Sequence, residues 1–320
     1  GGMVVAGLIY VVISFLIKKI GVEKIQKVLA PQVVGPMIIV IGMNLIPVAF
    51  GMAKDSLLIA AITLGTALIV NFKAKGFTKQ LSILLAVVVG YIISYNMGMV
   101  NTTVVKEASF LALPPFTLPK FDFGAIAIIS PVVLAVFMEH LGDITTNGQV
   151  VGQNFIEDPG LNRTLLGDGL ATTFAALIGG PANTTYGENT GVLAITKNYD
   201  PSILRLAAVF AVILAFVAKI GAFLTTIPTA VMGGISLMLF TMISLIGVQT
   251  IKNQEVKFNA KNIIVMGTIL VLGLGSDYLS SKLGFTIGIP INETVKITGL
   301  SFAALVGIVL NYVLSLIKDK

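Results

Sequence analysis

The chain has 320 residues, 56% of them apolar and 11% charged, with a net charge of +6 and a mean hydropathy of +0.97. Soluble domains carry roughly 25% charged residues, so this composition excludes a water-soluble globule. The absence of cysteine excludes a disulfide scaffold, a cysteine nucleophile and a thiolate metal cluster, and the single histidine, His140, excludes a multi-histidine metal site. No cofactor is expected.

Apolar runs follow one another at 3–17, 28–50, 56–72, 81–100, 124–141, 164–180, 184–196, 203–224, 227–249, 262–276 and 297–317. A full crossing needs about 20 residues at about 1.5 Å each, and ten of the runs approach that length, so the fold class is an all-α polytopic bundle in a lipid bilayer. Prolines 31, 36 and 47 predict kinks in the second run. The stretch 101–123, with Pro114, Pro115 and Pro119, reads as a long loop. The run 184–196 is too short to cross and follows Gly179-Gly180-Pro181-Ala182-Asn183, which reads as a discontinuous helix. No charged leader or cleavable signal precedes the first run.

Loop charge sets the orientation. With the C-terminus cytoplasmic, 15 of the 21 basic residues fall in inside loops and five outside, and Lys219 lies within a span. The basic excess is therefore topology and not a nucleic-acid surface. The same count places Gly1 outside, which predicts further spans upstream of it.

Ionisable groups within apolar spans are costly and so become functional candidates. Glu139 and Asp143 are i and i+4, stacked on one helix face. Two carboxylates that close resist simultaneous ionisation, so one is expected to hold a proton at neutral pH. His140 points about 100° away from Glu139 and reads as a structural hydrogen-bonding histidine or a proton relay. The segment Gly187-Glu188-Asn189 opens the half-length helix, where unpaired N–H groups and the helix dipole favour the Glu188 anion, and Asn189 offers both a donor and an acceptor. Irregular chain at this depth is tolerated only inside protein or along a cavity. Carboxylates, an amide and free N–H groups suit a flat neutral ligand edged with N–H and C=O groups. They do not suit a phosphate, which would call for Arg or Lys.

At these residues the chain resembles the nucleobase–ascorbate transporter family, and its bacterial uracil permeases in particular. Glu188-Asn189-Thr190-Gly191 followed by Thr196-Lys197 fits each fixed position of the family signature, and Asn183-Thr184-Thr185-Tyr186-Gly187 and Glu139-His140-x-Gly142 are similar as well. The resemblance implies a symporter in a bacterial inner membrane, importing uracil or a related nucleobase with a proton by elevator-like alternating access, with family members commonly dimers. It implies fourteen segments in two inverted repeats of seven with a short strand at the membrane midplane, here near residues 182–186, and the first three segments missing from this chain. The implied domains are a core (1–27 and 123–225) and a gate (28–122 and 226–320). By position, Glu139 and Glu188 would hydrogen-bond the pyrimidine, the Gly187 N–H a carbonyl, with Tyr186 and Asn189 at the same site, and Glu139, Asp143 and His140 the proton-coupling groups. Asp143 stands where some uracil permeases have histidine and resembles purine-transporting relatives, whereas Glu188 matches the uracil side.

A xanthine or purine permease is the close rival, and an anion transporter of related fold the distant one, since it would want a basic group where Glu188 stands. An intramembrane aspartyl protease, prompted by Asp143, Asp168 and Asp200, fails because Asp200-Pro201 falls in a loop.

Overall fold

Backbone in lipid has to satisfy its own hydrogen bonds, and among the described residues each apolar run does so chiefly with helix. The structure, a computed structural model, describes residues 1–21, 24, 30–284, 286–290 and 296–317. The start of the expected 28–50 run, residues 22–23 and 25–27 of the implied first core segment, and the terminal Lys318 and Lys320 lie outside the described residues. The principal helices are α1 (Gly2–Ile20), α2 (Pro31–Ala53), α3 (Leu57–Lys73), α4 (Ser82–Asn96), α5 (Phe123–Ile129), α6 (Val132–Val151) and α7 (Leu161–Leu177). They continue as α8 (Glu188–Thr196), α9 (Pro201–Ala215), α10 (Ala218–Thr225), α11 (Thr229–Asn253), α12 (Ala260–Leu283) and α13 (Gly299–Leu316).

Among the described residues α1, α2, α11 and α13 are long and apolar enough to cross a bilayer alone, and α9 with α10 makes a fifth span if that pair, bent by 81°, counts as one. Pro31 opens α2 at its first position, where a missing N–H costs nothing, and α2 continues unbroken through Pro36 and Pro47. The expected run 124–141 divides instead. Asp122 caps α5 by accepting from the Ala125 N–H at 2.7 Å, the helix ends at Ile129, and Pro131 starts α6. Then α6 continues ten residues past Leu141, to Val151. Glu139 and Asp143 therefore lie inside a helix and not at its watery end.

The strand expected near residues 182–186 is not formed. A strand needs a ladder partner, and the backbone of Asn183 is bonded to a side chain instead: the Thr172 hydroxyl accepts from its N–H and donates to its C=O, both at 3.1 Å. The described strands are a two-residue antiparallel pair, Ile289–Pro290 with Lys296–Ile297.

The chain divides into two compact units. The first holds Gly1–Asn44, Phe116–Gly187 and Met242–Lys320, and the second Leu45–Pro115 and Glu188–Thr241, borders that differ from the implied core and gate. In the first unit one apolar cluster joins α1, α2, α6 and α7 through Tyr10, Val34, Phe137 and Leu165, and another joins α2, α12 and α13 through Val33, Met37, Ile269 and Ala303. Lipid gives no hydrophobic drive between helices, so close packing and buried polar ties matter more. The ties include Ser301 Oγ to the Ile128 carbonyl (2.7 Å), Asn44 Nδ2 to the Gly273 carbonyl (3.1 Å), and Gln32 to Asn311 (2.9 Å). One close helix approach in the first unit is α2 on the end of α11: a Cβ on Gly247 would stand 2.6 Å from the Gly35 oxygen. In the second unit Ile59, Ala230, Val231 and Ile235 form the core, and the Tyr91 and Thr226 hydroxyls meet at 3.0 Å.

The crossing gives a test. Gly247→Leu forces the helices apart and lowers stability in detergent by about 2 kcal/mol. Gly65→Leu, at a glycine with open space beside it, leaves the melting temperature near its original value.

Candidate functional site

Helix α6 presents two chemically different faces. At about 100° per residue, Glu139, Asp143 and Thr146 fall within a sector of about 60°. All three line a cavity of about 380 Å³ in the first unit, together with Gln149 of α6, Ile38 of α2, and Gln249 and Asn253 of α11. That volume suits a small organic ligand, for which pockets run from about 300 to 1,000 Å³. Glu139 and Asp143 are half-buried, and among the described residues no lysine or arginine lines the cavity.

His140 turns the other way and is only 2% exposed. Its Nδ1 lies 2.8 Å from Asp168 Oδ2 and 2.7 Å from Thr185 Oγ1, and the Thr185 hydroxyl donates to the same Asp168 oxygen at 3.1 Å. Its Nε2 lies 3.0 Å from the Thr164 hydroxyl, which also donates to the Leu161 carbonyl at 3.0 Å. One buried ring thus joins α6, α7 and the segment leading to Gly187. Thr164, Asp168 and Thr172, at i, i+4 and i+8, form the polar stripe of α7 that receives it. Sequence reasoning missed Thr164, Thr172 and Thr185 and read Asp168 only as a rival protease residue, although that four-residue spacing in an apolar helix was a usable signal.

The segment between α7 and α8 is tied at both ends. At its start Gly179 has φ +92°, a conformation for glycine, and any Cβ there would strike Thr117, whose N–H donates to the Ile178 carbonyl at 3.2 Å. At its end a Cβ on Gly187 would stand 2.8 Å from Asp143 Oδ1, so the glycine lets this backbone lie against the Asp143 carboxylate. Glu139, Asp143 and Gly187 are therefore brought together, and His140 is not among them. Tyr186, next to Gly187, is 55% exposed. Glu188 opens α8 in the second unit as expected, and its side chain lies outside the described residues. Asn189 is exposed on the same turn. The motif glycine, Gly191, is where the Gln80 amide packs against α8.

Two other acidic or basic candidates find ordinary roles. Asp200 is the exposed cap of α9, accepting from the Ser202 N–H at 2.9 Å, and hydrogen bonds from Ser202 hold its carboxyl below the usual carboxylate range. Lys219 is exposed in the first turn of α10.

A model of the permease family matches residues 1–282. The chain is 39% identical to a probable uracil permease of Haemophilus influenzae over 330 residues, covering 100% of this chain and 77% of that protein. It is also 39% identical to a uracil permease of Bacillus caldolyticus (98% and 74% covered) and 34% identical to a uracil permease of Escherichia coli K12 (99% and 74%).

The histidine tie is open to a double-mutant cycle. His140→Ala leaves the Asp168 carboxylate and two hydroxyls without their ring partner and is expected to cost about 3 kcal/mol of stability in detergent. With Asp168→Ala already present the same change costs clearly less, and strict additivity of the two would contradict the coupling.

Proposed function

The chain belongs to the permease family, among its nucleobase–ascorbate transporters, and from that premise we propose that it imports uracil, or a closely related nucleobase, together with a proton. It is a multi-pass membrane transporter and not an enzyme. The observation that supports the substrate class is the cavity lined by both Glu139 and Asp143 and, among the described residues, by no basic side chain. Carboxylates there accept the N–H groups of a neutral pyrimidine, and the Gly187 N–H is suited to a ring carbonyl. An anionic cargo would meet like charge, which disfavours an anion transporter.

In this reading Glu139 and Glu188 hydrogen-bond the base, with Gly187, Tyr186 and Asn189 completing its contacts. Protonation of Glu139 or Asp143 couples transport to the proton gradient, and His140, one residue from Glu139, links that event to α7. The core (1–27 and 123–225) moves against the gate (28–122 and 226–320) as an elevator, in a protein with seven-plus-seven inverted repeats, upstream segments completing the first repeat, a cytoplasmic C-terminus and, as is common among its relatives, a dimeric assembly. A xanthine or purine permease is the second reading, favoured by Asp143 in the place where some uracil permeases have histidine.

Uptake of labelled uracil by cells expressing the full-length protein tests the proposal. Uptake is expected to be faster at the lower of two external pH values and to survive an excess of unlabelled xanthine. Indifference to the proton gradient removes the coupling, and full competition by xanthine moves the substrate to the purines. Glu188→Ala is expected to lower uptake efficiency by one to two orders of magnitude, roughly the loss of hydrogen bonds to a charged group. Normal uptake in that variant removes the site.

A further inference from the structure

The cavity wall opposite the α6 carboxylates belongs to a helix that no motif marks. The last turns of α11 carry Gln249, Thr250 and Asn253, all three lining the cavity, and Gln254 follows at its rim. Gln249 and Asn253 are i and i+4, so their carboxamides stack on one helix face. The crossing of Gly35 and Gly247 brings that face to the cavity: the two glycines let α11 sit close on α2, with Ile251 packed on Gly35 and Ile39 on Gly247, and Ile38, almost one turn beyond Gly35, becomes the buried floor. Gln249, Asn253 and Gln254 are exposed, which puts the mouth of the cavity at the C-terminal end of α11.

We infer that Gln249 and Asn253 form the carboxamide half of the binding chamber and read the lactam edge of the cargo, the N–H beside a C=O, while Glu139, with Asp143 next to it, takes the remaining N–H. This rests on the nucleobase reading and adds to it the residues that discriminate among bases. A carboxamide offers a donor and an acceptor in one plane, which matches such an edge with two parallel hydrogen bonds, as when Asn or Gln reads a base in nucleic acid. An apolar cargo would offer the two amides no hydrogen bonds in exchange for the water it displaced, and an anion would be repelled by Glu139 and Asp143. A neutral planar ring with alternating N–H and C=O groups satisfies both walls.

These 320 residues contain no cysteine, so thiol labelling of the full-length protein, with any cysteine outside them replaced, gives a direct test. Gln249→Cys and Asn253→Cys are expected to react with a water-soluble maleimide, and saturating uracil to slow that reaction several-fold. Val248→Cys, beside the cavity-lining pair but not part of it, is labelled equally with and without uracil. In uptake assays Gln249→Leu and Asn253→Leu each raise KM by about two- to ten-fold, the loss of a neutral hydrogen bond or two, and they shift the preference between uracil and analogues altered at the lactam edge. Unchanged KM together with no protection, in a protein that does import uracil, overturns the inference and leaves the nucleobase reading standing. Absence of any nucleobase uptake by the parent protein removes that reading and this inference with it.

Discussion

A single buried imidazole holds the candidate site together. His140 is almost wholly removed from solvent, yet each of its ring nitrogens has a polar neighbour, Asp168 and Thr185 at one and Thr164 at the other. Such a group is costly unless satisfied, and once satisfied it fixes its partners in one arrangement. The register of α6 against α7, the placing of the segment that ends at Gly187, and through Gly187 the surroundings of Asp143 all follow from where that ring sits. Because neighbouring residues on a helix diverge by about 100°, the tie leaves Glu139 directed into the cavity. The anchoring residue and the cavity-lining residue thus stand one step apart on one helix.

The second organising constraint is steric. Two helices that meet through glycine can approach more closely than leucines would allow, and in the first unit the approach at Gly35 and Gly247 decides which polar side chains of α11 line the cavity. The chamber therefore has carboxylates on one wall and carboxamides on another, over an apolar floor. That division of labour suits a neutral heterocycle: the charged groups contribute the stronger hydrogen bonds, and the amides require a particular order of donors and acceptors.

Most of the helices were legible in the sequence because lipid imposes a simple demand, a long apolar run with internally paired backbone. The same criterion explains what stayed hidden. It stopped the fifth run at Leu141 because the residues after Asp143 are polar, although those residues continue α6 along the cavity. It also passed over the break at Ser130-Pro131, since an apolar count does not register a lost N–H within a greasy segment. Among site residues, the carboxylates of α6 and the start of α8 stood out by charge and motif. Thr164, Asp168 and Thr172 did not, because threonine is unremarkable in a span until its spacing is noticed, and Gln249 and Asn253 were concealed as ordinary polar residues at a helix end. The strand expected near residues 182–186 failed for a related reason, as a side-chain hydroxyl took up the Asn183 backbone groups that a ladder would have used.

That hydroxyl has a mechanical consequence. The linking segment is pinned by Thr172 at Asn183 and by His140 and Asp168 at Thr185, and its first turn is held by Thr117. A stretch fastened at three levels cannot flap like a lid, so Gly187 keeps its place against Asp143 for as long as these ties hold. The spacing of α6, α7 and Gly187 is thereby insulated from disturbance elsewhere in the chain: a shift of other segments has to break three separate ties before it alters this corner of the first unit.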